Sequence, residues 1–244
     1  CIGTGDIVAY CANPAETLAE IRDWGCVVLA GNVERQLARG AEDCGCGFEA
    51  GTTCDRLSVA WFAHAQAEVD TDARAWMAGL PDALGFRLGR RRALAIHGGL
   101  TDISRFLWPT SPEMDFAQEL STLSEAPDLV FAGHSGLPFQ RQIGKTTWIN
   151  AGSIGLPPND GSPATRYVVW QDDAASFFSL SYGHLAAAAA MRTAGLTQGY
   201  QDALLTGWWP SQDILPKSLR RAQTVRSQNL PGGCEGVGAE PPRT

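Results

Sequence analysis

The sequence predicts an α/β fold with a layered sheet, and three observations carry that prediction. Short apolar runs of strand length recur along the chain. Segments with helical spacing alternate with them. Glycine beside a polar residue follows run after run, the pattern of loops leaving the carboxyl ends of strands. In chain order, residues 1–5 read as a strand, and 13–24 as a helix with Pro14 in its first turn. Residues 26–30 read as a buried strand. Helices are predicted over 54–69 and 71–78, a strand over 92–96, a helix over 112–123, and strands over 128–132 and 147–149. Residues 166–170 and 176–181 read as an antiparallel pair across the polar turn Gln171 to Asp173. A last helix spans 184–193, and Trp208-Trp209-Pro210 is expected to fold back as a cap.

Composition excludes several function classes. The 244 residues suit one large domain or two small ones, and the formal net charge is −7. That charge argues against general nucleic-acid or anionic-membrane binding. The longest apolar stretch, Leu185 to Met191, is far too short for a membrane span. The opening segment reads as a strand, not as a signal peptide. Seven cysteines, an odd number, point to a reduced cytoplasmic protein. Gly40 to Thr53 is a Gly/Cys-rich loop, and the Gly/Pro-rich end, from about residue 228, is expected to be disordered.

The polar residues at the strand ends are Asp6, Asn32, His97, His134 and Asn150, each within two residues of glycine. Glycine lets backbone approach an ion or a phosphate closely. In an open α/β sheet these loops gather on one edge, so an Asp, an Asn and two His are expected to converge there. Such a donor set suits a borderline divalent cation, Mn²⁺ first, with Zn²⁺, Fe²⁺ or Ni²⁺ as alternatives. A cation of this kind activates water and neutralises phosphoryl oxygens.

Read in order, Gly5-Asp6, Gly31-Asn32-Val33-Glu34, His97-Gly98, Gly133-His134-Ser135-Gly136 and Asn150 to Pro157 form a specific series. The series resembles the calcineurin-like metallophosphoesterases, in particular their small bacterial phosphodiesterase-like branch, over residues 1–210. The resemblance implies a four-layer α/β/β/α sandwich around a two-metal site, with residues 211–244 as a carboxyl-terminal extension. By motif matching, Asp6 is the aspartate that bridges both metals, and Asn32, His97 and His134 complete the second metal site.

The family pattern also contains D-x-H one βα unit upstream of the G-D motif, about 30 residues before Asp6. Only five residues precede Asp6, so a longer product lacking its first βα unit here is expected, with a stable degenerate member as the alternative. Gly136 stands where the family has the last His of G-H-x-H, a ligand of the first metal. Val33 stands where G-N-H-[DE] has a His thought to assist the leaving group. One or two ions are therefore compatible with the sequence.

Other motifs fall short. Gly133 to Leu137 misses the nucleophile elbow because Leu137 replaces its second glycine. Gly144-Lys145-Thr146 ends like a P-loop, but Phe139 occupies the required glycine position. Val8 occupies the third glycine position of a dinucleotide fingerprint after Gly3 and Gly5. Cys44, Cys46 and Cys54 with His64 lack standard zinc-knuckle spacing, so exposed reduced thiols are expected. Cys1 as an amino-terminal nucleophile is disfavoured by its strand-like context. Arg90 to Arg92 read as a solvated turn, His64 as helix surface, and His184 as a helix start. Asp102 and Arg105 are candidates for orienting substrate.

The functional expectation is a phosphoesterase acting on a phosphorylated small-molecule or nucleotide-like mono- or diester. Asn32 and His97 would be catalytic and the general acid unassigned. The alternative is a non-catalytic metal- or phosphate-binding pseudoenzyme of the same fold.

Overall fold

In the computed structural model, which describes residues 1–221, most of the predicted alternation is present. The expected disorder beyond residue 228 lies outside the described residues. β1 (Ile2–Gly3) pairs in parallel with β2 (Val27–Val28), and α1 (Pro14–Trp24) connects them. Pro14 opens that helix, and Gly25, in the left-handed region, closes it. The second strand is shorter than its apolar run because pairing becomes irregular past Val28. The Leu29 amide donates to the Gly3 carbonyl, and the Ala30 amide donates across to Pro81.

α2 (Asn32–Arg39) starts at the next turn. The sequence does not predict a helix there, because Gly31-Asn32 looks like loop. Glu34 supplies the missing start signal, accepting from the Gly31 amide at 2.8 Å. α3 (Thr53–Glu68) and α4 (Thr71–Ala78) follow, with Thr52 and Asp70 accepting from the third amide of each.

The main sheet then forms from β3 (Ala83–Leu88), β4 (Arg91–Ile96), β5 (Leu129–Ala132), β6 (Phe139–Ile143) and β7 (Thr146–Asn150), with α5 (Glu113–Leu120) between β4 and β5. The strand order is β3-β4-β5-β7-β6. The three central strands are parallel, and β3 and β6 are antiparallel edges. Those edges are the two strands that the apolar pattern of the sequence does not predict. Edge strands expose alternate residues, and Phe139-Gln-Arg-Gln-Ile143 is apolar only at its ends.

Side-chain alternation along the central strands builds two layers. Val130 and Ala132 of β5, with Ile96 and Trp148, face Phe116 and Leu120 of α5. Phe131 faces the other way and meets Trp170 edge-on at 6.2 Å. Trp170 belongs to β8 (Thr165–Gln171), which forms a hairpin with β9 (Ala174–Leu180). The turn residues Asp172 and Asp173 both have positive φ, as a two-residue hairpin turn requires. The architecture is thus mixed α/β with a central mixed sheet. A second apolar cluster joins α1 to α4 with α6 (His184–Thr193) and α7 (Tyr200–Thr206) around Trp61 and Phe62. Full burial of a large side chain is worth about 2–3 kcal/mol, so Trp61 and Phe62 anchor these helices.

Two expectations need correction. Cys44 and Cys46 are neither exposed nor reduced: they are buried and joined to each other by a disulfide. Gly45 between them turns in the left-handed region, which brings the two residues together. His64 lies half-buried, its Nε2 at 2.9 Å from the Ala12 carbonyl, and serves no cysteine cluster. The tryptophan cap is present: the Trp209 amide donates to Asn159 at 2.9 Å and its indole Nε1 to the Pro157 carbonyl at 2.6 Å.

Candidate metal centre

The carboxyl ends of β1, β2, β4 and β5 deliver Asp6, Asn32, His97 and His134 to one place. Their approach depends on two glycines. A Cβ on Gly31 would lie 2.2 Å from Asp6 Oδ1, and one on Gly5 would lie 2.4 Å from the Gly31 amide nitrogen. Only glycine at both positions lets the two loops interlock. Asp6 and His134 themselves sit at φ 57° and 54°. Non-glycine residues pay about 1–2 kcal/mol there, strain typical of functional sites.

His97 is the hub. Its Nε2 lies 3.0 Å from Asn32 Oδ1, 3.0 Å from His134 Nδ1 and 3.3 Å from Asp6 Oδ2. Its Nδ1 lies 2.6 Å from the Thr4 carbonyl, which assigns the proton to Nδ1 and turns the Nε2 lone pair inward. The Asn32 amide nitrogen donates to the Cys44 carbonyl at 2.9 Å, so its oxygen is the atom facing His97. Asp6 Oδ1 accepts from the Val33 amide at the amino terminus of α2, leaving Oδ2 for the centre.

With His134 protonated on Nε2, its Nδ1 joins His97 Nε2, Asn32 Oδ1 and Asp6 Oδ2 as four acceptor atoms with no donor among them. A proton on His97 Nε2 relieves part of this arrangement; one divalent cation satisfies all four. The carboxylate and imidazole atoms of Asp6, His97 and His134 lie within 4.8 Å of one another, close enough for small side-chain shifts to bring all three onto a shared ion. The residues present thus fit a borderline cation, and their chemistry does not select among Mn²⁺, Zn²⁺, Fe²⁺ and Ni²⁺.

Without a cation, the electrostatics are those of a buried ion pair between Asp6 and His97. Burial pushes the His97 pKa down, but the Asp6 carboxylate and its hydrogen bond, with the Thr4 carbonyl, outweigh it, and the net shift is upward. Burial raises Asp6, yet His97 and His134 bring it below the usual carboxylate range. Burial and the neighbouring His97 push His134 down to about 3. Glu34, fully buried, is raised by burial and by Asp6, while accepting from the amides of Asp6 and Ile7 at 2.7 and 2.8 Å. That carboxylate holds the turn carrying Asp6 to the start of α2.

Asn150 is a brace and lies outside this donor set. Buried at the end of β7, it donates to the Gly133 carbonyl and to Ser135 Oγ, and so fixes the turn that presents His134. The loop after His97 covers the other side. Phe106 lies 4.2 Å from the His134 ring and stacks between Trp108 and Phe48. Asp102 and Arg105 shape that loop. Asp102 is exposed and accepts from the Ser104 amide, and Arg105 pairs with the buried Glu119 at 2.8 Å. Arg91 and Arg92 stand at the opposite end of β4, paired with Asp173 and Glu125.

The two departures from the family pattern have separate structural expressions. Val33 is wholly buried in the helical core with Val8 and Leu37, so that position points away from the centre. Gly136 has φ 69°, and a Cβ there would lie 3.5 Å from Trp209 Cζ2. The benzo edge of Trp209 occupies the direction that a side chain at 136 would take.

Comparison with known proteins matches this arrangement to a family. The model for the calcineurin-like phosphoesterase superfamily domain matches residues 1–173. The chain belongs to that superfamily. Membership supports its general reading as a metal-dependent phosphoesterase, a phosphoric ester hydrolase. A metallophosphoesterase from Sphaerobacter thermophilus has a similar fold, with a TM-score of 0.63 at 20% identity over 84% of this chain and 87% of that one. A hypothetical protein from Pyrococcus horikoshii superposes with a TM-score of 0.66 at 16% identity over 84% and 83% of the two chains. A search of curated proteins finds no match. No helix among the described residues is long and apolar enough to cross a membrane.

Among the residues that build this candidate centre, the sequence names Asp6, Asn32, His97 and His134. It does not name Thr4, Cys44 or Phe106, which act through a carbonyl or a ring face. Glu34 was within reach as a capping residue three places after Gly31.

Proposed function

We propose that the chain hydrolyses a phosphate mono- or diester of a small or nucleotide-like molecule, in the cytoplasm, at a centre held by Asp6, Asn32, His97 and His134. The observation that carries this reading is the convergence of Asn32 Oδ1, His134 Nδ1 and Asp6 Oδ2 on His97 Nε2, at 3.0, 3.0 and 3.3 Å. A divalent cation bound there, Mn²⁺ first among the candidates, would polarise the phosphoryl group and lower the pKa of attacking water. The chain's own part is preorganisation. Thr4 and Cys44 orient His97 and Asn32, Glu34 holds the Asp6 turn, and Phe106 excludes bulk water from the His134 side. In this reading Asn32 and His97 are the catalytic pair. No acid for the leaving group is assigned, because Val33 is in the core.

That gap favours a second reading, a binding module of the same fold without turnover. Mn²⁺ titration of the metal-stripped protein, with elemental analysis, tests the centre. About one ion per chain, lost in His134→Ala, supports it, and absence of binding refutes it. Hydrolysis of p-nitrophenyl phosphate and bis-p-nitrophenyl phosphate separates the two readings. A rate abolished by His97→Ala supports the enzyme, and no rate in either protein supports the binding module.

A further inference from the structure

The Cys44–Cys46 disulfide lies directly behind this centre, and the short loop it closes touches both of its sides. On one side the Cys44 carbonyl accepts from the Asn32 amide nitrogen at 2.9 Å, and that bond decides which amide atom faces His97. On the other side Ser104 Oγ donates to the Gly45 carbonyl, and Gly47 packs so closely that a Cβ would lie 2.9 Å from the Ser104 carbonyl. Phe48 then stacks on Phe106, which covers His134. The sulfurs are buried, but Glu42, Asp43 and Gly47 around them are exposed, so a local opening of one short loop reaches them.

We propose that Cys44 and Cys46 form a thiol–disulfide modification site that sets the affinity of the Asp6–Asn32–His97–His134 centre for its cation, an inference that rests on the metal-binding reading above. The co-reactant is a dithiol. One of its thiolates attacks an Sγ and its second thiol resolves the mixed disulfide. The Sγ–Sγ bond breaks, two electrons and two protons pass to Cys44 and Cys46, and the reductant leaves as its own disulfide. Gly45 and Gly47, both at positive φ, then allow the unlocked backbone to leave its left-handed turns. The Cys44 carbonyl loses its fixed place behind Asn32, and the amide is free to rotate its nitrogen toward the centre. Loss of a contact that orients a ligand weakens metal binding by about 10–100-fold.

The test is Mn²⁺ calorimetry on the full chain, oxidised and after reduction with dithiothreitol that is then removed under nitrogen. Differential alkylation with mass spectrometry counts thiols at each cysteine. The expected result is two new thiols, at Cys44 and Cys46, with binding at least tenfold weaker, and a Cys44→Ser/Cys46→Ser protein fixed at the weaker affinity in both conditions. Reoxidation of the wild type with diamide, restoring the bond and the affinity together, gives the same answer if the double variant does not fold. The proposal is overturned if no thiols appear at those two positions, if they appear and the affinity stays the same, or if the double variant still responds. Binding of equal strength in both states overturns this inference alone. No binding in either state overturns the metal centre and this inference with it.

Discussion

Replacing Gly136 by His should destabilise the protein by about 2–3 kcal/mol, and most of that cost should depend on Trp209. Position 136 has φ 69°, where a residue with a Cβ pays about 1 kcal/mol. The Cβ itself fits, at 3.5 Å from Trp209 Cζ2, but the imidazole beyond it runs into the benzo edge. Moving the indole breaks its Nε1 hydrogen bond to the Pro157 carbonyl, about 1 kcal/mol, and loses packing of similar size. Trp209→Ala alone should cost about 2 kcal/mol for the same reasons. In the double variant the imidazole enters vacated space and only the backbone cost is added. The two changes should therefore be less than additive by about 1–2 kcal/mol. Urea denaturation of the four proteins measures the cycle. Additivity to within about 0.5 kcal/mol would refute the claim that Trp209 fills the direction of a side chain at 136.

Val33→His, which restores the residue type of the family motif, should cost about 3 kcal/mol and add no catalysis, because it places an unpartnered imidazole in the helical core. Urea melts at pH 8 with phosphatase assays check this, and a stable variant with a raised rate would contradict it. The metal-free protein should be most stable near pH 6.5. His97 has a raised folded pKa, so its contribution is complete below the unfolded value of about 6.5 and is lost as pH rises through the folded one. His134 titrates near 3 when folded, so below pH 6.5 the unfolded chain gains a proton that the folded chain does not take up. Stability falls with pH in that window, by about 5 kcal/mol if the full shift is expressed. Denaturation of chelator-treated wild type and His134→Ala from pH 4 to 9 checks the sign; identical pH profiles below 6.5 would rule it out.

The division between what was legible in the sequence and what was not follows the physics of each element. β4, β5 and β7 read clearly because they are central, where neighbouring residues facing opposite sides are both buried and apolar, as at Ala95-Ile96, Leu129-Val130 and Trp148-Ile149. β3 and β6 did not, because an edge strand leaves half its side chains to solvent. The donors Asp6, Asn32, His97 and His134 could be placed by the rule that loops at strand carboxyl ends share an edge, and the structure brings them together. What orients them could not. Thr4 and Cys44 act through carbonyls, a group every residue carries, and only the fold selects which carbonyl faces which ligand. The disulfide was missed for a related reason: an odd cysteine count argues about compartment, whereas the pairing of Cys44 with Cys46 depends on a left-handed glycine between them.

Val33 and Gly136 look alike in sequence, as two lost histidines, but they differ physically. Val33 contributes to a core that also anchors α2, and its amide still serves Asp6. A His there would disturb the helix whose amino terminus presents Asn32. Gly136 contributes open space that the tryptophan cap has filled from a distant part of the chain. Reversal at 33 works against the fold, whereas reversal at 136 works against one movable side chain. Position 136 with Trp209 is therefore the place where the surroundings of the centre can change without dismantling the structure that holds it.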